Sequence, residues 1–265
     1  MLASALIVFR EALEAALVIG IVLGATRGLK GRGSCVGLAI AAGSLGAVAV
    51  AGLMGTIANF ADGSGQALFE AGVLFSAVAM LAWHNVWMSR HAKELAQQLK
   101  TLGRDVGLGV KPMAAVFLAV ALAVLREGSE IVLFLYGVAA SGTGRASLWG
   151  GGFLGLLGGL AVGLALYRGL MNIPVKHFFR VTGWMIVLLA AGMASQAAAF
   201  LNQADVLPAI KDSLWDTSRL VSAGSLTGAF LKTLVGYTPN PSGLQFLFYF
   251  GTIAVLGSLT KFARK

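Results

Sequence analysis

Charge is scarce in this chain. Only 12% of its 265 residues are Asp, Glu, Lys or Arg, while 57% are hydrophobic. A soluble domain carries about 25% charged residues, so the shortage excludes an ordinary soluble protein. Cysteine is nearly absent: Cys35 stands alone, which excludes a disulfide scaffold. No triplet period runs through the 36 glycines, so the chain is not collagen-like. Short alternating strands are missing too, which removes a membrane β-barrel. Acidic residues number 11 against 20 basic ones, a formal net charge of +9. That balance suits a nucleic-acid binder in principle. Here, however, the basic residues lie between apolar runs, which is the pattern of orientation in a lipid bilayer, and no nucleic-acid partner is expected.

What remains is long apolar segments. A helix needs roughly 20 such residues to cross the hydrocarbon core. Seven segments qualify, at 2–25, 36–58, 66–88, 113–140, 148–170, 181–201 and 245–262. The first has no basic leader and holds three charges in mid-span, so it reads as a mature helix rather than a signal peptide. Most Lys and Arg fall in alternate connections: Arg27, Lys30 and Arg32, then Arg90, Lys93, Lys100, Arg104 and Lys111, then Arg168, Lys176 and Arg180, then Lys261, Arg264 and Lys265, against Arg145 in the fourth connection and Lys211, Arg219 and Lys232 in the long sixth. Basic loops mark the cytoplasmic side. The expectation is an all-α polytopic protein of the cytoplasmic (inner or plasma) membrane with its N-terminus outside and its C-terminus inside. The sixth connection, 202–244, is long enough for two short outer-face helices, at 209–221 and 226–235.

Two spans carry charges at mid-depth. The first reads Arg10-Glu11-Ala12-Leu13-Glu14 and the fourth Arg126-Glu127-Gly128-Ser129-Glu130. A charge at the centre of a span costs about 2.5–3.5 kcal/mol, so six cost about 15–20 kcal/mol before pairing. With about 100° per residue, the Arg and two Glu of each copy share one helical face. That face must look into the bundle. Together the copies hold four carboxylates and two guanidiniums, a formal charge of −2. Such a site wants a cation. Carboxylate oxygens are hard ligands suited to ferric iron, Mg, Mn or Ca rather than Cu(I). Glu11, Glu14, Glu127 and Glu130 are the candidate metal ligands, with Arg10 and Arg126 as charge partners that orient them. A buried ion-pair network that only locks two helices together is the plain alternative, and the two surplus carboxylates argue against it.

The second copy follows the first by 116 residues, three spans later. An odd number of crossings reverses direction, so the motif helices are expected to run antiparallel. Spans two and five both carry small residues every fourth position: Ala39, Gly43, Ala47, Ala51 and Gly55, and Ser147, Gly151, Gly155, Gly159 and Gly163. Such ridges let backbones approach closely, within one chain or between copies of a homo-oligomer. The expected organisation is a single membrane domain built as a 3+3 inverted repeat, with 1–88 as one repeat, 113–201 as the other, and 245–262 as an extra span. Glu70 and Asp62 are candidates for gathering cations at the outer entrance, and His84 for assisting exit. Gly128 stands where the first copy has Ala12 and is expected to loosen that helix. Trp83, Trp87, Trp184 and Trp215 read as interface anchors.

Paired R-E-x-x-E motifs on the first and fourth of seven spans resemble the oxidase-dependent iron transporter (high-affinity iron permease) family, in a short bacterial form. The resemblance extends to Phe69-Glu70-Ala71-Gly72, Phe179-Arg180-Val181-Thr182-Gly183, Gly236-Tyr237 and Pro241-Ser242. It implies a permease, not an enzyme, that moves iron into the cytoplasm, with ferric iron as the expected form and the four glutamates as ligands during permeation. It also implies an extracytoplasmic oxidase or iron-delivery partner, and no tightly bound cofactor beyond iron as cargo. Two other readings stand beside it. One is the same permease for Pb or Mn. The other is an intramembrane lipid-pyrophosphate phosphatase, for which the only trace is Ser141-Gly142-Thr143-Gly144-Arg145-Ala146-Ser147, on the outer side and far from the carboxylates.

Overall fold

A computed structural model of the chain describes residues 1–60, 66–169, 175–208, 210, 211, 213–218, 228, 231 and 236–263. These residues form seven long helices: α1 (Leu2–Ala25), α2 (Arg32–Phe60), α3 (Gln66–Gly107), α4 (Met113–Ala140), α5 (Arg145–Tyr167), α6 (Val175–Gln203) and α7 (Gly243–Ala263). No strand occurs among them. Segments of α2, α3, α5, α6 and α7 are long and apolar enough to cross a membrane by length and composition. In α1 and α4, of 24 and 28 residues, the apolar run is interrupted by Arg, Glu and Glu.

The third helix departs from expectation. An apolar span ending at residue 88 continues as a polar helix to Gly107, making 42 residues. At 1.5 Å per residue that is about 63 Å, twice the hydrocarbon thickness of roughly 30 Å. Its extension is amphipathic rather than loop-like. Leu99 and Val106 are buried against Val22, Val36, Val116 and Val120, and the Gln98 amide donates to Glu94 one turn back. It stops at Gly107-Leu108-Gly109, where Gly109 takes φ +74 and Lys111 pairs with Asp105 at 3.0 Å.

Small residues set the tightest seams. A Cβ on Gly43 of α2 would lie 2.6 Å from the Ala121 carbonyl oxygen and 3.0 Å from the Leu125 nitrogen of α4. Gly155 of α5 lies just as close to Ala5 and Phe9 of α1, residues 116 positions earlier than Ala121 and Leu125. One step further along, Ala47 packs on Gly128 while Gly159 packs on Ala12. Gly128 therefore makes room for a neighbouring methyl group. The Ala–Gly pair is exchanged between the two seams.

Contacts fix the helix directions. Ala12 meets Gly159 and Ala16 meets Gly163, so α1 and α5 run the same way. Glu14 meets His84 and Ala25 meets Gly103, so α3 runs with α1. Trp87 meets Arg126 while Ala77 meets Gly137, so α4 opposes both. Two apolar clusters result. One joins Ile7, Leu74, Leu81, Phe134, Val187 and Ala190. The other joins Val22, Leu99, Val106, Val116 and Val120. Along α1, α3 and α4 the charged residues fall between them, so apolar packing flanks the polar layer on both sides.

The connection before α7 differs from the expected pair of helices. Ser213–Ser218, inside the first of them, is not helical. It lies instead against the turn ahead of α7: the Leu214 and Thr217 N–H groups donate to the Pro241 and Pro239 carbonyls at 2.9 and 3.0 Å. Asp216 accepts from the Ser218 hydroxyl and backbone N–H. These bonds hold its carboxyl below the usual range and compete with helical pairing. The second expected helix lies outside the described residues except for Gly228 and Leu231, both helical.

Candidate metal centre

The three charged residues of each motif lie on one face because they are three and four residues apart on a helix. Within α1, Arg10 Nε is 2.9 Å from Glu14 Oε1. Within α4, Arg126 Nε donates to Glu130 Oε1 at 3.1 Å. Each arginine thus pairs with the second glutamate of its own motif. The first glutamates, Glu11 and Glu127, turn toward each other's helix.

His84 of α3 stands where the motifs meet. It is 1% exposed. Its Nε2 lies 3.1 Å from Glu14 Oε2 and 3.8 Å from Glu11 Oε2, and its Nδ1 pairs with Glu130 Oε2. One ligand atom from each of Glu11, His84, Glu127 and Glu130 falls within 4.8 Å of all the others. All four groups are buried, as is Glu14. The exit role expected for His84 rested on a span ending near residue 88. With the helix continuing to Gly107, this histidine lies at the depth of the glutamates.

Both Glu11 oxygens and Glu127 Oε2 are buried with no hydrogen-bond partner, while Glu14 Oε1 faces Arg10 and Glu130 Oε2 faces His84 Nδ1. A buried charge without a partner is strongly unfavourable. Apolar side chains could fill this volume at lower cost, so acceptors converging on one point indicate a cation-binding arrangement.

The two arginines differ in surroundings. Arg10 is buried, whereas the Arg126 side chain is 37% exposed. The Arg126 guanidinium lies 4.4 Å from the centre of the Trp87 ring, a cation–π contact. Glu70 is remote from the cluster. It sits near the start of α3 and accepts from Gln66 at 3.0 Å. The 14 residues separating it from His84 correspond to about 21 Å of helix. Asp62 lies outside the described residues. His84 was the residue whose central position sequence reasoning missed, although a polar residue inside an apolar run was itself the signal.

The described residues form a helical bundle with buried acidic side chains gathered between apolar layers. The profile described as the iron permease FTR1 family matches residues 1–262, and the chain belongs to that family. It is 31% identical over 254 residues to the ferrous iron permease EfeU of Yersinia pestis, covering 92% of this chain and 88% of that protein. It is 30% identical over 265 residues to the protein of the same name from Escherichia coli O157:H7, covering 97% and 94%. No solved structure matches the chain. Membership identifies a multi-pass transport protein with iron as cargo, not an enzyme.

Proposed function

We propose that the chain carries iron into the cytoplasm, across the cytoplasmic membrane, through a site formed by the acidic residues of both R-E-x-x-E motifs. The observation that carries this reading is the convergence of buried Glu11, Glu127 and Glu130, with Glu14 beside them and oxygens of Glu11 and Glu127 left without a partner, between two apolar layers. Water stripped from an ion entering that layer is replaced by carboxylate oxygen. Arg10 and Arg126 hold the second glutamates in place and keep the empty site from carrying four uncompensated charges.

The inverted-repeat reading gains support from the exchanged seams, in which Gly43 and Gly155 meet residues 116 apart on α4 and α1. It puts the site at the midplane between repeats. Alternating helix directions support chain ends on opposite faces, and the basic connections support a cytoplasmic C-terminal face.

The site's formal charge of −2 favours divalent iron as the passing ion, in keeping with the relatives named ferrous iron permeases. Ferric iron delivered by an outer oxidase is the second reading, carried by the resemblance in the sequence. Radioactive iron uptake into proteoliposomes separates them. With ascorbate and no oxidase, rapid uptake supports ferrous transport; uptake only from ferric iron with a delivery protein supports the other. Uptake unaffected by Glu11→Ala and Glu127→Ala together refutes the glutamate site for either ion. Inhibition by Mn or Pb at concentrations equal to iron would turn the assignment toward those metals.

A further inference from the structure

The acidic residues do not stand equally around the cluster, and the difference lies in His84. This histidine is 1% exposed. It touches both motifs while belonging to neither. Its Nε2 faces Glu14 Oε2 at 3.1 Å, and Glu14 is held from the other side by Arg10 at 2.9 Å. With the proton on Nε2, the ring donates to Glu14 and turns the lone pair of Nδ1 toward Glu130. That nitrogen meets Glu130 Oε2, and beside this contact Glu11 Oε1 and Oε2 and Glu127 Oε2 have no hydrogen-bond partner. In this tautomer acceptors face acceptors. Metal-ligating histidines characteristically donate their second ring nitrogen to a carboxylate, which fixes the ring and strengthens the ligand.

We propose that His84 Nδ1 is a ligand of the passing ion, together with Glu11, Glu127 and Glu130, and that Glu14 is a positioning residue that holds the imidazole. The proposal rests on the glutamate-site reading above and adds a nitrogen donor to it. One imidazole among three carboxylates gives a site of intermediate hardness. Fe, Co and Zn gain from the nitrogen, whereas Mg and Ca prefer oxygen alone. Arg10 and Glu14 thereby act through His84 on which ions are accepted. The two R-E-x-x-E motifs alone contain no residue able to make that distinction.

The test uses the full-length protein in lipid nanodiscs, with Mn2+ as a paramagnetic probe and pulsed electron paramagnetic resonance as the readout. Bound Mn2+ should show modulation from a directly coordinated 14N nucleus in the wild type. The signal should vanish in His84→Asp and persist in the double variant His91→Gln/His177→Gln. Growth with 15N-histidine should replace the 14N pattern in unaltered protein, so the result survives if His84→Asp fails to fold. In competition against bound Mn2+, His84→Asp should lose at least about tenfold of the Co2+ and Zn2+ preference over Mg2+. Glu14→Gln should keep nitrogen coordination while weakening Mn2+ binding about 10- to 100-fold. Mn2+ bound in a Glu127-dependent manner without any histidine nitrogen signal would overturn the role of His84 alone. Absence of Glu127-dependent binding would instead overturn the glutamate site.

Discussion

Arg10 and Arg126 occupy the same place in two copies of one motif, and the bundle treats them differently. Arg10 is enclosed beside Glu14. Arg126 is 37% exposed and lies over Trp87. The source of the asymmetry is α3, which packs on both motif helices, whereas α6 packs mainly on α3 and α7 and only slightly on α1. A single helix thus supplies His84 to the common site and Trp87 to one copy. Near-symmetric seams on the outside surround an asymmetric centre. The lesson is that a repeated motif specifies a shared chemistry, while access and support are set by whichever helix lies alongside.

The strongest challenge to this picture is to remove one acid from each copy in turn. If both copies furnish ligands to one ion, Glu11→Gln and Glu127→Gln should each reduce saturable iron binding by more than about 100-fold, beyond the usual effect of losing a supporting residue. Isothermal titration on nanodisc-held protein under anaerobic conditions measures this. Retention of near-normal binding by either variant would mean that one motif suffices. It would dissolve the comparison.

The arginines should separate next, in stability. Arg10→Gln leaves a buried Glu14 without its guanidinium and should destabilise the folded protein by about 3–5 kcal/mol. Arg126→Gln removes an ion pair whose arginine is only partly enclosed and should cost less than Arg10→Gln. Unfolding of each variant in mild detergent, followed by tryptophan fluorescence, gives the order. Equal losses would show that exposure of the Arg126 side chain does not weaken its pairing.

Much of this arrangement is legible in the chain itself. The apolar runs 2–25 and 113–140 coincide with α1 and α4, because Thr26 and Pro112 bound them where backbone geometry changes. The inward turn of the four glutamates and Arg10 follows from helical spacing and the energetics of lipid. Hydropathy could not foresee the polar half of α3, since it registers apolar runs and the extension is held by amphipathic packing of Leu99 and Val106. His84 escaped for a different reason. Its partner Glu14 is 70 residues away, and only the packing of α3 between α1 and α4 reveals the pair. The hairpin-like pairing of Ser213–Ser218 with Pro239–Pro241 is similarly non-local.

The seams offer a finer comparison, because their geometry is nearly shared. Gly43→Ala and Gly155→Ala each force a methyl group against backbone on the opposing helix, and each should cost about 1–3 kcal/mol. Gly37→Ala, with nothing within 4 Å, should be neutral or gain up to about 1 kcal/mol from helix propensity. Unequal losses at Gly43 and Gly155 in detergent unfolding would carry the asymmetry of the centre out to the seams.

The smallest effect isolates Trp87. Replacing it with Leu retains apolar bulk but removes the ring face beneath the Arg126 guanidinium. A partly exposed cation–π contact contributes about 0.5–1 kcal/mol, so Trp87→Leu should destabilise by that amount. Combined with Arg126→Gln, it should add almost nothing further, because the contact is already lost; a double-mutant cycle in the unfolding assay reads this coupling directly. The same substitution paired with Arg10→Gln should be additive, since Trp87 supports only the second copy. Coupling of equal size to both arginines would mean that the indole acts through the shared glutamates and His84. The asymmetry would then belong to the whole centre rather than to one motif.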